Sequence, residues 1–419
     1  MISVQDKSLL DESSLRYAGW RVVAACFLMA LFLFGFGLYG QGVYLAELQR
    51  LYGWPAALIA GASTLSLLLA NILATFTGEF VARLGARRLV LSGIAALAAS
   101  MVLLAFATAP WQLYMAFTLM ALGWIGMGTV VIATVVSLWF VRRRGLAISL
   151  AFTGASTGGI VVTPLLVLLV ARFGFTAAML TATAIMLVIL VPVALAWIGA
   201  PSAGKPAETP IDIPSRSAVS AAPEEISRAT LMRSVAFWTI SISFALALVA
   251  QIGFIVHQIA LLEPKVGRAS AGFAVSVMTS MAIVGRLALG LVVDRFDPRL
   301  VTALSLVSQA AALATILQSD QVAIVLTACG VFGFSVGNLI TLALLIMHRE
   351  FSAGSFVVVM GLSNAISGTV GALGPGLAGL VRGWSGGYDA VLMLCIALEL
   401  LATAIVMQRG LWNWRAAAA

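Results

Sequence analysis

One arginine of this sequence, Arg286, lies deep within an apolar stretch. No other charged residue occurs between Ala269 and Val293. A charged side chain in an apolar layer is costly unless it faces a cavity or a partner. The planar guanidinium can donate two parallel hydrogen bonds to one carboxylate. The position therefore predicts a binding site for an organic anion. The alternative is a structural contact with a helix C-terminus or with Glu399.

Groups that can exchange a proton near neutral pH are scarce in the apolar stretches. His257 titrates close to neutral pH without help, and Glu399 lies near the middle of the last apolar stretch. Both are predicted as candidates for proton coupling. The alternative for His257 is a polar residue near the end of a span, with a satisfied ring. In a further alternative, the proton binds together with the substrate anion at Arg286.

Several uncharged polar residues interrupt the other apolar stretches. We predict that they line a route around Arg286 and set its shape and selectivity. Each of them alone is more often a hydrogen-bonding contact between helices. They are Tyr39, Gln41, Asn71, Tyr114, Asn338, Asn364 and Ser367.

The sequence carries no motif of catalysis, nucleotide binding or metal binding. It has no phosphate-binding glycine loop, no His-Glu-x-x-His motif and no nucleophile elbow. The spacing of Cys26, Cys329 and Cys395 suits no metal site. The basic run Arg142–Arg144 marks a cytoplasmic loop rather than a nucleic-acid contact. We therefore expect no enzyme activity, no cofactor, no bound metal and no nucleic-acid partner.

The elements that position these residues follow from composition. Of the 419 residues, 62% are hydrophobic and 10% are charged, whereas soluble domains are about a quarter charged. A membrane-spanning helix needs roughly 20 apolar residues, and the long apolar runs show no alternation of the kind that barrels have. The sequence predicts an all-α membrane protein with spans at 21–44, 56–80, 87–107, 110–140, 143–171, 174–199, 235–260, 268–293, 299–318, 320–348, 354–382 and 385–409.

The distribution of basic residues predicts the topology. Eighteen of the 24 Lys and Arg residues fall on one side of the predicted spans and five on the other. Because cytoplasmic loops collect Lys and Arg, both termini and the proline-rich linker are predicted to be cytoplasmic. The predicted parts are an N-terminal tail (1–20), a six-helix bundle (21–199), a linker (200–234), a second six-helix bundle (235–409) and a C-terminal tail (410–419).

The two halves of the sequence repeat a loop motif at an offset of 212 residues. Gly78–Arg88 follows the second span, and Gly290–Arg299 follows the eighth. Parallel repeats of six spans are a known transporter architecture with a midplane site between the halves. The motif residues in these loops are Gly78, Arg83, Gly85, Arg87, Gly290, Asp294, Arg295 and Arg299.

In these features the chain resembles the major facilitator superfamily over essentially its whole length. The resemblance implies twelve helices in two pseudo-symmetric bundles. It also implies that the motif residues of the two loops gate transport, through charge contacts with neighbouring helix ends that hold the outward-open state. The second loop keeps the Gly-x-x-x-Asp-Arg-x-x-x-Arg pattern, whereas Ala82 stands where the first loop of the family usually has Asp. We expect the charge contacts to be weakened on the N-terminal side only.

A narrower resemblance rests on the junction of spans 4 and 5. Trp139–Ala147, Thr153–Ser156 and Pro164 are similar to that junction in monocarboxylate transporters and oxalate:formate antiporters. By this resemblance, Arg286 occupies the place of an anion-binding arginine, and Tyr39 lies near an aromatic residue of the site.

Departures from these families bear on the substrate. Ser367 stands where the antiporters have a second cation, Ala282 replaces an acidic or amide residue, and the aromatic box is thinned at Thr129, Ala155 and Asn338. A single carboxylate is therefore expected rather than a dianion such as oxalate.

The sequence thus predicts a secondary transporter that moves a small organic monoanion with protons by alternating access. We expect a monomer in the lipid bilayer of a bacterial inner membrane. Two alternatives stay open. One is an exporter of drugs or other toxic compounds with the same fold, and the other is a non-transporting sensor on a transporter scaffold.

Overall fold

The computed structural model describes Glu12, Ser14 and residues 17–199, 231–292, 295–351 and 353–417. Most of the predicted linker and N-terminal tail lie outside these ranges, as does Asp294. Every regular element within them is a helix. The last helix continues to Ala417, so the predicted C-terminal tail begins as a helix.

The first half of the chain forms one bundle of helices. Its elements are α1 (Gly19–Phe34), a π-helical turn (Gly35–Tyr39), α2 (Gln41–Tyr52), α3 (Ala56–Ala74), α4 (Thr77–Leu84), α5 (Ala86–Ala105), α6 (Pro110–Met127), α7 (Thr129–Ser137), α8 (Arg144–Phe173) and α9 (Phe175–Trp197).

The second half forms a second bundle with the same kind of segmentation. Its elements are α10 (Val235–Val266), α11 (Arg268–Val292), α12 (Pro298–Gln318), α13 (Val322–Val336), α14 (Leu339–Glu350), α15 (Ala353–Gly371), α16 (Gly374–Ser385) and α17 (Asp389–Ala417).

These helices supply the predicted spans. Eleven segments of the described chain are helical, long and apolar enough to cross a membrane. The one remaining predicted span, 354–382, is the pair α15 and α16, which a short break at Ala372 and Leu373 separates. The count of twelve is thus consistent with the structure.

Two of the spans are broken near the middle at related positions of the repeat. Gly128 adopts an extended conformation (φ −74°, ψ −177°) and separates α6 from α7. Gly337 and Asn338 separate α13 from α14. Broken helices place backbone ends at membrane depth, where they can take part in binding. The breaks support the internal repeat that the loop motifs predict.

The glycine-rich stretch in the fifth span brings two helices into close contact. A Cβ atom on Gly154 would lie 2.1 Å from the Phe27 carbonyl oxygen, and one on Gly158 would lie 2.4 Å from that of Leu31. Small residues allow helix backbones to approach in this way. The glycines therefore fix α8 against α1 and the π-helical turn.

The two bundles contact each other on one half of their interface. We call the side on which α1 begins and α9 ends the linker side, and the opposite side the far side. Three hydrogen-bonded pairs join the bundles in the far half: Glu47 with Arg268, Ile160 with Ser276, and Thr64 with Gly376.

A gap between the bundles opens on the linker side. In the described chain, the cross-bundle hydrogen bond nearest that side joins Asn71 Nδ2 to the Gly368 carbonyl at 3.1 Å. Closer to the linker side, Arg286, Gly290 and Asn364 are exposed. From these contacts and exposures we infer that the far side is closed and that a cavity opens towards the linker.

Candidate functional site

Arg286 lies at the inner end of this cavity. It follows Thr279 by two turns of α11, on the helix face that contacts Gly159 of the first bundle. Its side chain is exposed rather than packed within the second bundle. Since the far half of the interface is closed, the guanidinium faces the gap between the bundles.

A backbone carbonyl orients the guanidinium. Arg286 Nε donates to the Gly337 carbonyl oxygen at 3.1 Å, at the C-terminal end of α13. The helix-terminus contact considered as an alternative is therefore present, whereas Glu399 makes no bond to the arginine. In the described chain, Arg286 has this one hydrogen bond and no ion pair. Its two Nη groups are thus left to bind a carboxylate end-on.

Tyr39 faces Arg286 from the first bundle. The π-helical turn ends at Tyr39, and the ring is half-buried. The positive charge of Arg286 lies within electrostatic reach of the Tyr39 hydroxyl, across the interface between the bundles. Single-turn π-helices often occur at functional sites because they turn a side chain away from the regular helix face. A hydroxyl and a guanidinium from opposite bundles can contact one substrate.

Two asparagines lie on another wall of the same cavity. Asn71 of α3 is exposed and bonds to Gly368 of α15. Asn364 is also exposed and precedes Gly368 by one turn, which places it on the same face of α15. These two amides offer both donors and acceptors at the depth of Arg286.

Four predicted lining residues lie elsewhere. Gln41 is buried and donates to the Gly37 carbonyl and Met120 Sδ within the first bundle. Ser367 is buried and donates to the Ser241 carbonyl at 3.2 Å. The remaining two are Tyr114, whose hydroxyl packs on Gly61, and Asn338, which is buried at the break between α13 and α14. Gln41, Ser367 and Tyr114 thus make contacts within their own bundles, whereas Asn338 directly follows Gly337, whose carbonyl accepts from Arg286.

The two predicted proton-coupling residues differ in their surroundings. His257 is fully buried in the second bundle, and both ring nitrogens are engaged: Nδ1 with the Tyr388 hydroxyl at 3.3 Å and Nε2 with the Pro375 carbonyl at 3.1 Å. Glu399 is also fully buried, but neither carboxyl oxygen has a hydrogen-bond partner among the described residues.

The loop motifs differ between the halves. Arg299 is 4% exposed and forms a paired bond with Glu350, from Nε at 2.5 Å and from Nη2 at 2.9 Å. In the first loop, Arg87 is exposed, and Arg83 lies 3.9 Å from Glu79 on the surface. Gly78, Gly85, Gly290 and Arg295 are half-buried or exposed. Charge contacts with neighbouring helix ends thus occur at Arg299.

A charged pair on the far side was not predicted from the sequence. Glu47 is 3% exposed and accepts a short hydrogen bond from Arg268 of the other bundle. The two residues stand at the far ends of spans 1 and 8. The available signal for this pair was an acidic and a basic residue on the same side of a predicted interface. Among the described residues, no cluster of three or more His, Cys, Asp or Glu side chains could hold a metal.

Known proteins resemble this chain in sequence over most of its length. Monocarboxylate transporter 11 of Mus musculus is 27% identical over 409 residues, which cover 93% of this chain and 87% of that protein. Monocarboxylate transporter 13 of Rattus norvegicus is 26% identical over 398 residues, covering 93% and 88%. The predicted resemblance to monocarboxylate transporters is confirmed.

Solved structures and a family profile complete the comparison. The nucleoside transporter NupG superposes with a TM-score of 0.75 at 15% identity, covering 93% of this chain and 99% of that one. A D-xylose-proton symporter gives 0.74 at 12% identity, covering 93% and 97%. The profile of the Major Facilitator Superfamily matches residues 27–375. The chain is therefore a multi-pass membrane transporter rather than an enzyme, and it belongs to the Major Facilitator Superfamily.

Proposed function

We propose that this transporter moves a small organic monoanion, a monocarboxylate, by alternating access and together with a proton. One observation carries the proposal: Arg286 is exposed on the face of α11 that meets the first bundle, with both Nη groups unbonded in the described chain, and its charge reaches Tyr39 of that bundle. A substrate held by both side chains joins the two bundles at membrane depth. Its binding would therefore favour movement of one bundle against the other.

The charge of the site favours a single carboxylate. Arg286 is the one Lys or Arg well inside a predicted span, and Tyr39, Asn71 and Asn364 around it are uncharged. Ser367, at the place of the second cation in the antiporters, is buried against α10. A dianion would bring one negative charge without a partner, which is costly away from water. The relatives named monocarboxylate transporters agree with this substrate class.

The proposed orientation puts the linker side in the cytoplasm of a bacterial inner membrane, with both termini inside. The excess of Lys and Arg at the linker-side ends of the spans supports this orientation. The closed far side and the open linker side then correspond to an inward-open conformation. One chain contains both walls of the cavity, so a monomer is the proposed working unit.

Uptake by purified protein in proteoliposomes tests the proposed substrate class. The panel contains two- to five-carbon monocarboxylates, dicarboxylates, neutral amides of the same shape, and organic cations. We expect saturable uptake of a monocarboxylate, with the matching amide at least about tenfold weaker because it loses a charge-assisted hydrogen bond. Uptake of organic cations alone would instead favour a drug exporter. Saturable binding without uptake would favour a sensor.

Glu399 fits the role of proton carrier better than His257. Both ring nitrogens of His257 already have partners within the second bundle. The carboxyl of Glu399 has none in the described chain, so gaining or losing a proton there breaks no existing hydrogen bond. An unpaired carboxylate is costly in a buried site, so the neutral acid suits this conformation.

We expect Glu399→Gln to flatten the pH dependence of uptake, because glutamine mimics the neutral acid but cannot release a proton. His257→Gln is the matched comparison and should keep the wild-type profile. Initial rates measured from about pH 5 to 8, with and without a pH gradient, distinguish the two. If Glu399→Gln keeps a normal profile, the proton travels with the substrate at Arg286 instead.

A further inference from the structure

The far side of the molecule is closed by an ion pair between the bundles. Glu47 of α2 accepts a short hydrogen bond from Arg268 at the start of α11. The Glu47 side chain is 3% exposed and that of Arg268 is 20% exposed. Breaking a pair this buried is strongly unfavourable if a charge is left without a partner. When the far side opens, each of the two charges must therefore be hydrated or gain a new partner.

Glu47 already has that second partner. Arg50, three residues further along α2, bonds to the other carboxylate oxygen at 2.5 Å. Because Arg50 is on the same helix, it moves with Glu47 when the bundles separate. Arg268 has no equivalent: in the described chain its ion pair is with Glu47. Separation of the bundles therefore leaves Arg268, and not Glu47, as the charge without a partner.

Arg268 is aligned with Arg286. The two residues are five helical turns apart on α11, so they share one face at a separation of about 27 Å along the axis. Ser276 and Thr279 lie between them on the side of the helix that contacts the first bundle, where they meet Ile160 and Gly159. This face of α11 runs from the far end of the interface to the cavity.

We propose that Arg268 is the outer capture site for the carboxylate of the transported anion. As the far side opens, the substrate carboxylate replaces Glu47 on the Arg268 guanidinium. As that side closes, Glu47 pairs with Arg268 again and the substrate moves along α11 to Arg286. The proposal rests on the proposed function in one respect, namely that the substrate is an anion.

The first experiment measures whether the pair closes the far side. Thr279→Cys places a thiol beneath the pair, at a position that is 1% exposed in the closed arrangement. Its reaction with a membrane-impermeant maleimide, added to intact cells without substrate, reports opening of the far side. The same protein without the Thr279→Cys substitution gives the background labelling of the three buried native cysteines.

We expect Glu47→Gln and Arg268→Gln each to increase labelling of Thr279→Cys severalfold. Lys265→Gln is the matched control, since Lys265 lies on the same side but pairs at 2.8 Å with Asp320 of its own bundle. It should leave labelling unchanged. Equal labelling in all of these variants would overturn the closing role of the pair.

The second experiment separates capture from closure. Arg268→Gln should raise the KM for monocarboxylate uptake from the far side by about tenfold to a hundredfold, because a charge-assisted hydrogen bond to the substrate is lost. Glu47→Gln should leave that KM unchanged or lower it, because the arginine is then free. Arg268→Lys keeps the charge but loses the planar fork of the guanidinium. Its KM should therefore lie between those of the wild type and Arg268→Gln.

An equal rise of KM in Glu47→Gln and Arg268→Gln would overturn the capture role and leave a closing contact alone. Failure of the proposed function looks different. If the wild type takes up no carboxylate, the KM measurements give no signal. Labelling of Thr279→Cys still tests whether the pair closes the far side. Elution of each purified variant as a monodisperse peak shows that a lost signal does not come from misfolding.

Discussion

Arg286→Ala should abolish monocarboxylate uptake in proteoliposomes while the protein remains folded and inserted. The variant removes the positive charge at the inner end of the cavity and leaves Tyr39 as the cross-bundle contact. It also releases the Gly337 carbonyl, which is a helix end and can bind water in the cavity. The expected loss of affinity is about tenfold to a hundredfold for each charge-assisted hydrogen bond removed.

Two further variants sharpen this test. Arg286→Lys keeps the charge but loses the two-pronged geometry, so it should restore uptake only in part. Arg172→Ala removes an exposed arginine at the far end of α8 and should leave uptake unchanged. Full uptake by Arg286→Ala, at wild-type KM, would place the anion site elsewhere in the molecule.

Arg299→Leu should cause the largest loss of stability among single charge removals in the second bundle. Arg299 is 4% exposed and bonds to both oxygens of Glu350, and its Nη1 donates to the Val406 carbonyl at 2.6 Å. Removing one partner of a buried pair typically costs about 3–5 kcal/mol. For a bundle of this size the melting temperature should fall by about 6–20 °C, measured by thermal unfolding of the purified protein in detergent.

The internal repeat supplies the control for Arg299. Arg87 occupies the equivalent place in the first loop but is exposed, and no ion pair is recorded for it in the described chain. Arg87→Leu should therefore change the unfolding free energy by about 0.5 kcal/mol or less. Equal shifts in the two variants would mean that the buried pair at Arg299 adds no more than a surface charge.

The twelve helices could be predicted because they follow from composition along the chain, and Arg286 could be singled out as a candidate site residue for the same reason. A span is about 20 apolar residues in sequence, and a charge within one is visible without knowing its neighbours. The repeat was visible for the same reason, since Gly78–Arg88 and Gly290–Arg299 carry similar residues at a fixed offset.

The direction in which each polar side chain points could not be predicted. Tyr39 ends a π-helical turn, which departs from regular helical spacing. Gln41, two residues later, points into its own bundle and bonds to Gly37. Both are polar residues in the same span, and regular helical spacing does not separate them. Asn71 is likewise exposed and bonds to the other bundle, whereas Ser367 is buried and bonds within its own.

Contacts between the bundles could not be predicted from the sequence either. Glu47 and Arg268 are more than half the chain apart, and their pairing depends on which side of the interface is closed. The sequence places each at the end of a span, but two span ends on the same side need not meet. The loops differ already in sequence, because Ala82 departs from the pattern that the second loop keeps.

Calorimetric titration of the purified transporter with a monocarboxylate and with its neutral amide tests the role of Arg286 most directly, since binding is measured without transport. The wild type should bind the carboxylate at least about tenfold more tightly than the amide. In Arg286→Ala this preference should disappear, mainly through loss of carboxylate affinity. If Arg286→Ala still binds the carboxylate as tightly as the wild type does, Arg286 is not the anion site and the assignment of a monocarboxylate loses its main support.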